Sequence, residues 1–209
     1  MSRRLLWIAT AVWLTIVIAG LAWLAGYDNR PGAAAHPPAA WPQDSRMVHD
    51  PVHPTLVMLA HPRCDCTRAS LGELAELMAR AAERPRAYVL FIRPAGVNDA
   101  WEKTSLWKSA GDIPGVTVLS NDDGREARRF GVATSGQTLL YASTGTLLFA
   151  GGTTGARGHP GDNAGRATIL DLLEGNRPPQ TASPVFGCDL FSPAVERELS
   201  TEPGAQHGT

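Results

Sequence analysis

Cysteine is scarce in this chain of 209 residues: there are three, too few for the disulfide framework that holds small exported domains together. An excess of one charge is also missing. The 19 Lys and Arg and the 20 Asp and Glu leave a formal net charge of -1, so nothing in the totals suggests a basic surface for nucleic acid, and no nucleic-acid partner is expected. The polarity of a disordered chain is lacking too, since 44% of the residues are hydrophobic. No internal repeat is found. The one glycine-rich stretch has no Gly-Lys-Ser/Thr ending, which excludes a P-loop, and the Cys and His spacing fits no zinc finger. Length allows one or at most two domains.

What is present is uneven. From Leu5 to Ala25 the chain reads LLWIATAVWLTIVIAGLAWLA, with Thr10 and Thr15 as its only polar side chains. At ~1.5 Å per residue the run spans ~30 Å, the thickness of a bilayer core. Arg3 and Arg4 precede it, which places the N-terminus in the cytoplasm and the rest across the membrane. A cleaved signal peptide is the rival, but its apolar region is shorter. The only good small-residue cleavage site, Ala33-Ala34-Ala35, lies well beyond the run. The reading is a single-pass anchor (1–26) in a bacterial inner membrane, then a proline-rich tether (27–51). A domain facing the periplasm (52–191) and a flexible tail (192–209) complete the chain.

Within the domain, apolar runs at 55–60, 87–92 and 116–119 read as strands. Residues 138–142 and 146–150 flank Ser143-Thr144-Gly145 and read as a hairpin. Helical spacing follows Leu71, Leu74, Ala75 and Met78, with Glu73 on another face. Further helices are predicted over 101–110, from Asp122 through Arg128, and over 164–173, where Asp162 or Asn163 supplies a cap. The order β-α-β-α-β-α-β-β-α implies an α/β fold: a central mixed sheet with helices on both faces.

Cys64 and Cys66 fall where the first strand feeds the first helix. The partial positive charge of a helix N-terminus favours thiolate over thiol, and Arg63 adds to that while Asp65 opposes it. Cys64 is the better nucleophile and Cys66 is near enough to displace a partner from it. Two other readings stand beside this one: metal binding, and a structural bridge from one of the pair to Cys188.

The segment TLVMLAHPRCDCTRASLGELAEL resembles the strand, active-site loop and first helix of thioredoxin-like oxidoreductases. Asp123-Gly124, Phe130-Gly131-Val132 and Thr138-Leu139-Leu140 are similar to the later half of membrane-anchored thioredoxins of cytochrome maturation. With Gly-Gly-Thr-Thr-x-x-Arg-Gly-His and Phe186-Gly187-Cys188, the pattern resembles a bacterial branch labelled RedB-like. The resemblance implies a thioredoxin-like fold over about 52–175 and departs from its family at two places. Cys-x-Cys stands for Cys-x-x-Cys, so Thr67 takes the second cysteine's position, either bonding a Cys64 thiolate or capping the helix. Gly136 stands where the family has a cis-proline opposite the dithiol. The resemblance also brings the long glycine-rich connection beside the dithiol. There Arg157 would stabilise a thiolate and His159 would act as base or ligand, with a solvated loop as the plain alternative. Cys188 would dock through Val185 and Phe186 and join a three-thiol relay, or stay free.

The function expected is a periplasmic thiol–disulfide oxidoreductase with Cys64 and Cys66 at its centre, a protein thiol or disulfide as partner and no cofactor. The alternative is a copper-binding assembly factor without turnover, holding copper(I) through Cys64, Cys66, His61 and His159, a donor set that suits a soft ion.

Overall fold

The computed structural model describes residues 2–191. Two compact units are distinguished, one ending at Arg30 and one beginning at Pro31. The first is a single helix, α1 (Arg3–Asp28), with no buried residue. Its mean hydropathy reaches 2.3, and it is long and apolar enough to cross a membrane. Thr15 turns its hydroxyl back onto the Ala11 carbonyl at 2.9 Å, which satisfies the donor inside an apolar stretch.

The second unit is built on a five-stranded sheet in the order β3-β2-β1-β4-β5. The strands are β1 (Thr55–Ala60), β2 (Arg86–Arg93), β3 (Val116–Asp122), β4 (Thr138–Tyr141) and β5 (Leu147–Gly151). The first three run parallel, and β4 and β5 are antiparallel to their neighbours. Every residue of β1 is buried, as its unbroken apolar run requires of a strand covered on both faces. Four helices cover the sheet: α2 (Asp65–Arg80), α3 (Ser105–Gly111), α4 (Arg125–Arg129) and α5 (Ala164–Leu173). One face packs Met58, Val89 and Phe91 against Leu74 and Leu77 of α2, Leu106 of α3 and Ile169 of α5. The other packs Val57, Leu59 and Tyr141 against Trp41, Trp101, Ala127 of α4 and Phe130.

Three expectations are refined. The helix anticipated over 101–110 divides into a 3-10 turn, Asp99–Trp101, and α3. Thr104 causes the break: its hydroxyl accepts the Leu106 N–H as an N-cap and donates to the Pro62 carbonyl at 3.0 Å. Glu73, expected on another face of α2 than Leu71, Leu74 and Met78, is buried with them. The proline-rich segment does not stand off as a free tether once past Pro31. Ala40 bridges Thr146, and the Pro38 carbonyl accepts the Tyr141 hydroxyl at 3.0 Å. Trp41 sits edge-on to Phe130 and Tyr141, with centroids 5.2 and 5.3 Å away. A few anchors in an irregular chain do the covering that a periodic helix face does elsewhere, so no apolar period announces it. The tail expected at 192–209 lies outside the described residues.

Candidate active site

The chain leaves β1 through His61-Pro62-Arg63 and enters α2 at Cys64. Cys64 is the N-cap residue, with extended backbone (φ -123°, ψ 124°), and its carbonyl accepts the Thr67 N–H at 3.0 Å. A cysteine sulfur thus stands where a hydroxyl or carboxylate normally caps a helix, beside the positive end of the 16-residue α2. Cys64 is joined by a disulfide to Cys188, with the Cα atoms 6.7 Å apart. Cys66, in the first turn, is a free and buried thiol. The three Sγ atoms all lie within 4.8 Å of one another.

Cys188 reaches the centre on a strap of extended chain that follows α5. The Thr181 carbonyl accepts the Ala150 N–H at 3.0 Å, and the Ser183 hydroxyl donates to the Gly152 carbonyl at 2.7 Å. Further on, the Cys188 carbonyl accepts the Ser135 N–H and the Leu190 N–H donates to the Ala133 carbonyl, both at 2.8 Å. Thr134 and Asp189 form an antiparallel bridge. The strap therefore adds a short strand to the loop before β4. Val185 and Leu190 are buried beneath it, and a Cβ on Gly187 would collide with the Ser135 carbonyl. Glycine is required there by close approach of two backbones.

A buried hydroxyl pair fixes this loop against the cysteines. Ser135 Oγ and Thr67 Oγ1 are 2.8 Å apart. The His61 N–H donates to Ser135 Oγ at 2.9 Å, and Thr67 Oγ1 donates to the His61 carbonyl at 2.9 Å. The Thr67 hydroxyl thus bonds the His61 backbone and Ser135, and ties the strand end to the loop. Gly136 follows in the left-handed region (φ +84°), donates its N–H to the Leu59 carbonyl at 2.7 Å, and has Ser70 Oγ where a Cβ would fall. No cis peptide bond occurs among the described residues.

The histidines take different places. His61 is buried, and desolvation, with the nearby Arg63 charge adding to it, lowers its pKa to about 4. The neutral ring accepts the Arg63 N–H on Nδ1 at 3.2 Å, which puts the proton on Nε2. Arg63 is exposed and lies over the Trp101 ring, 5.3 Å from its centroid. His159 is exposed, with Nδ1 2.6 Å from the Arg157 carbonyl. Neither histidine belongs to the sulfur cluster. Arg157 donates through Nη1 to the Gly187 carbonyl at 2.7 Å, so it holds the residue next to Cys188.

Sequence reasoning missed one supporting pair. Glu73 of α2 is ion-paired with Arg166 of α5, both buried, and also accepts the Gly161 N–H at 2.6 Å and the Asn163 amide at 2.9 Å. Asn163 in turn caps α5 by accepting the Arg166 N–H at 2.8 Å. The glycine-rich connection is thereby pinned to the helix that carries the cysteines. No local signal marks it, because the helical spacing of Leu71, Leu74 and Met78 leaves Glu73 on another face and its partner lies 93 residues on.

No family model matches the chain, and no curated protein matches it in sequence. Solved structures do match. A conserved uncharacterised protein of Geobacillus kaustophilus aligns over 79% of this chain and 94% of its own, at 17% identity and TM-score 0.56. A hypothetical protein of Sinorhizobium meliloti aligns over 77% and 93%, at 19% identity and TM-score 0.53. The fold is thioredoxin-like. A secreted Mycobacterium tuberculosis disulfide oxidoreductase, described as homologous to Escherichia coli DsbE, is a more distant match at 13% identity and TM-score 0.41, over 61% and 84%. On this thioredoxin-like scaffold the cysteine cluster occupies the C-terminal end of β1, at the start of the helix that follows it.

Proposed function

We propose that the chain is a membrane-anchored thiol–disulfide oxidoreductase of the bacterial periplasm, with a protein thiol or disulfide as its partner. One observation carries the reading: a disulfide and a free thiol meet at the positive end of a helix, all three sulfurs within 4.8 Å. A long N-terminal helix apolar enough to cross a membrane supports the anchor, and Arg3 and Arg4 support its orientation. The finer placement, beside RedB-like proteins with Cys-x-Cys, rests on the sequence pattern from Cys64 to Cys188.

The chemistry is an exchange of sulfur bonds. In the reduced site the Cys64 thiolate, favoured by the α2 terminus, attacks one sulfur of a partner disulfide. The partner S–S bond breaks, and its second sulfur leaves and takes up a proton. A neighbouring thiol, Cys188 or Cys66, then loses its proton and attacks Cys64, breaking the mixed disulfide. The partner departs as a dithiol, having gained two electrons and two protons, and the site is left oxidised. Closure by Cys188 gives the pairing seen here; closure by Cys66 gives the Cys-x-Cys disulfide expected from sequence. Run in reverse, the same steps oxidise a partner dithiol.

Titrating the full-length protein in detergent against glutathione buffers tests this reading. The expected result is a single two-electron equilibrium, lost in Cys64→Ser. Three thiols that never equilibrate with glutathione, or an unchanged equilibrium in Cys64→Ser, would overturn it.

A further inference from the structure

We propose that the reduced protein is a copper(I) site whose three ligands are Cys64, Cys66 and Cys188. Among the described residues these are the Cys, His, Asp or Glu side chains brought together in a group of three or more, and each contributes one sulfur within 4.8 Å of the other two. A set of three thiolates with no nitrogen or carboxylate is the donor set of a soft monovalent ion. Zinc takes four ligands in a structural site, and among the described residues the cluster holds three. The nitrogen ligands expected from sequence, His61 and His159, do not belong to the cluster. Cys188 takes their place.

The surroundings suit a buried, negatively charged complex. Cys64 and Cys66 are buried and Cys188 is half-buried, which leaves one side open for an ion to arrive. The α2 terminus places positive potential at Cys64 and Cys66. The Arg157 guanidinium, bonded to the Gly187 carbonyl, brings a full positive charge next to Cys188. The strap is held by backbone hydrogen bonds at Ser135 and Leu190 as well as by its disulfide. Those bonds keep the Cys188 sulfur near the other two when the S–S bond opens.

Binding is gated by oxidation state, and its balance is explicit. Two small-molecule thiols reduce Cys64–Cys188 and become one disulfide, leaving three cysteine thiols. Copper(I) then displaces three protons and forms three copper–sulfur bonds, with no change in the oxidation state of the metal. In the oxidised protein only Cys66 remains a thiol, and a single cysteine does not hold the ion. A partner disulfide that accepts the two electrons of Cys64 and Cys188 leaves as a dithiol with two protons from solvent, and as the Cys64–Cys188 bond forms and Cys66 takes up a proton, copper(I) is released unchanged in oxidation state.

The test uses the full-length chain in detergent, reduced under anaerobic conditions and titrated with copper(I) against a chromophoric copper(I) chelator. One copper(I) per chain is expected, with X-ray absorption showing three sulfur scatterers and no nitrogen. Cys188→Ser is expected to weaken binding by more than roughly 100-fold, beyond the cost of disturbing an outer-shell partner; His61→Gln is expected to leave affinity within about threefold. The oxidised protein is expected to retain no copper. Two sulfurs, a nitrogen ligand, or equal affinity in Cys188→Ser would overturn the site. The absorption spectrum of the unaltered protein decides the ligand set even if Cys188→Ser fails to fold. Glutathione exchange without metal is a separate readout: a protein that exchanges but binds no copper refutes this site alone, and one that binds copper without exchanging refutes the oxidoreductase alone.

Discussion

His61 is the residue whose charge state the fold constrains most plainly. Its ring is neutral because burial lowers the pKa from 6.5 to about 4. The unfolded chain therefore binds a proton at a higher pH than the folded one. This contribution to stability is fully present above about pH 6.5, falls as pH drops toward 4, and levels off below that, by about 3 kcal/mol at most. Denaturant midpoints measured at pH 7 and pH 4.5 check it: His61→Gln should lose less stability over that interval than the unaltered protein. An equal loss would show that the imidazole is not responsible. The neighbouring hydroxyls have a different role. Ser135→Ala removes the partner of Thr67 Oγ1 and the nearer of the two acceptors of the His61 N–H, leaving it Thr67 Oγ1 at 3.3 Å, and weakening a buried network in this way costs about 1–3 kcal/mol in all. Equilibrium unfolding of Ser135→Ala should show a loss in that range, and a value near zero would contradict the network. At this scale the reading from sequence was partial. Cys64 at a helix start was legible because strand and helix periods meet there. The bonds of Thr67, the burial of Glu73 and the commitment of Arg157 to Gly187 were not, because each is set by a partner far along the chain.

The elements were more legible than their attachments. The five strands appear where apolar runs placed them, and Asn163 caps α5 as its position before the helix suggests. The strap from 181 to 190 has no periodic pattern, and neither does the segment from Pro31 to Pro54; both follow the domain surface through single anchors and backbone bonds. The pairing of Cys64 with Cys188, 124 residues apart, depends wholly on that path. Its one local trace is Gly187, which leaves room for the Ser135 carbonyl. A side chain there should lift the strap. Gly187→Ala is expected to raise the alkylation rate of Cys66 under native conditions roughly tenfold, as about 1.4 kcal/mol of lost docking would. Mass-spectrometric timing of alkylation reads this directly, and an unchanged rate would mean that the strap does not shield the site. Glu73→Gln acts from the other side, on the ion pair that pins the glycine-rich connection. Breaking a buried pair costs about 3–5 kcal/mol, and thermal unfolding should show it.

At the scale of the whole molecule, an apolar helix precedes a thioredoxin-like domain in which three cysteines are brought together. The anchor reading predicts that protease added to spheroplasts digests the domain, while protection until lysis would contradict the orientation. The absence of excess charge and the low cysteine count set the frame, and the sheet order placed the site. The strap sets the pairing, because it carries Cys188, the cysteine most distant in sequence, to Cys64. That claim is open to one direct measurement. Cells are quenched in acid, membranes are isolated, free thiols are alkylated, and the pairing of Cys64, Cys66 and Cys188 is mapped by mass spectrometry before and after mild reductant. The account predicts a Cys64–Cys188 disulfide with Cys66 alkylated, converting to three alkylated cysteines at a reductant level that leaves buried structural disulfides intact. Three free thiols under all conditions, or a disulfide that no mild reductant opens, would contradict it.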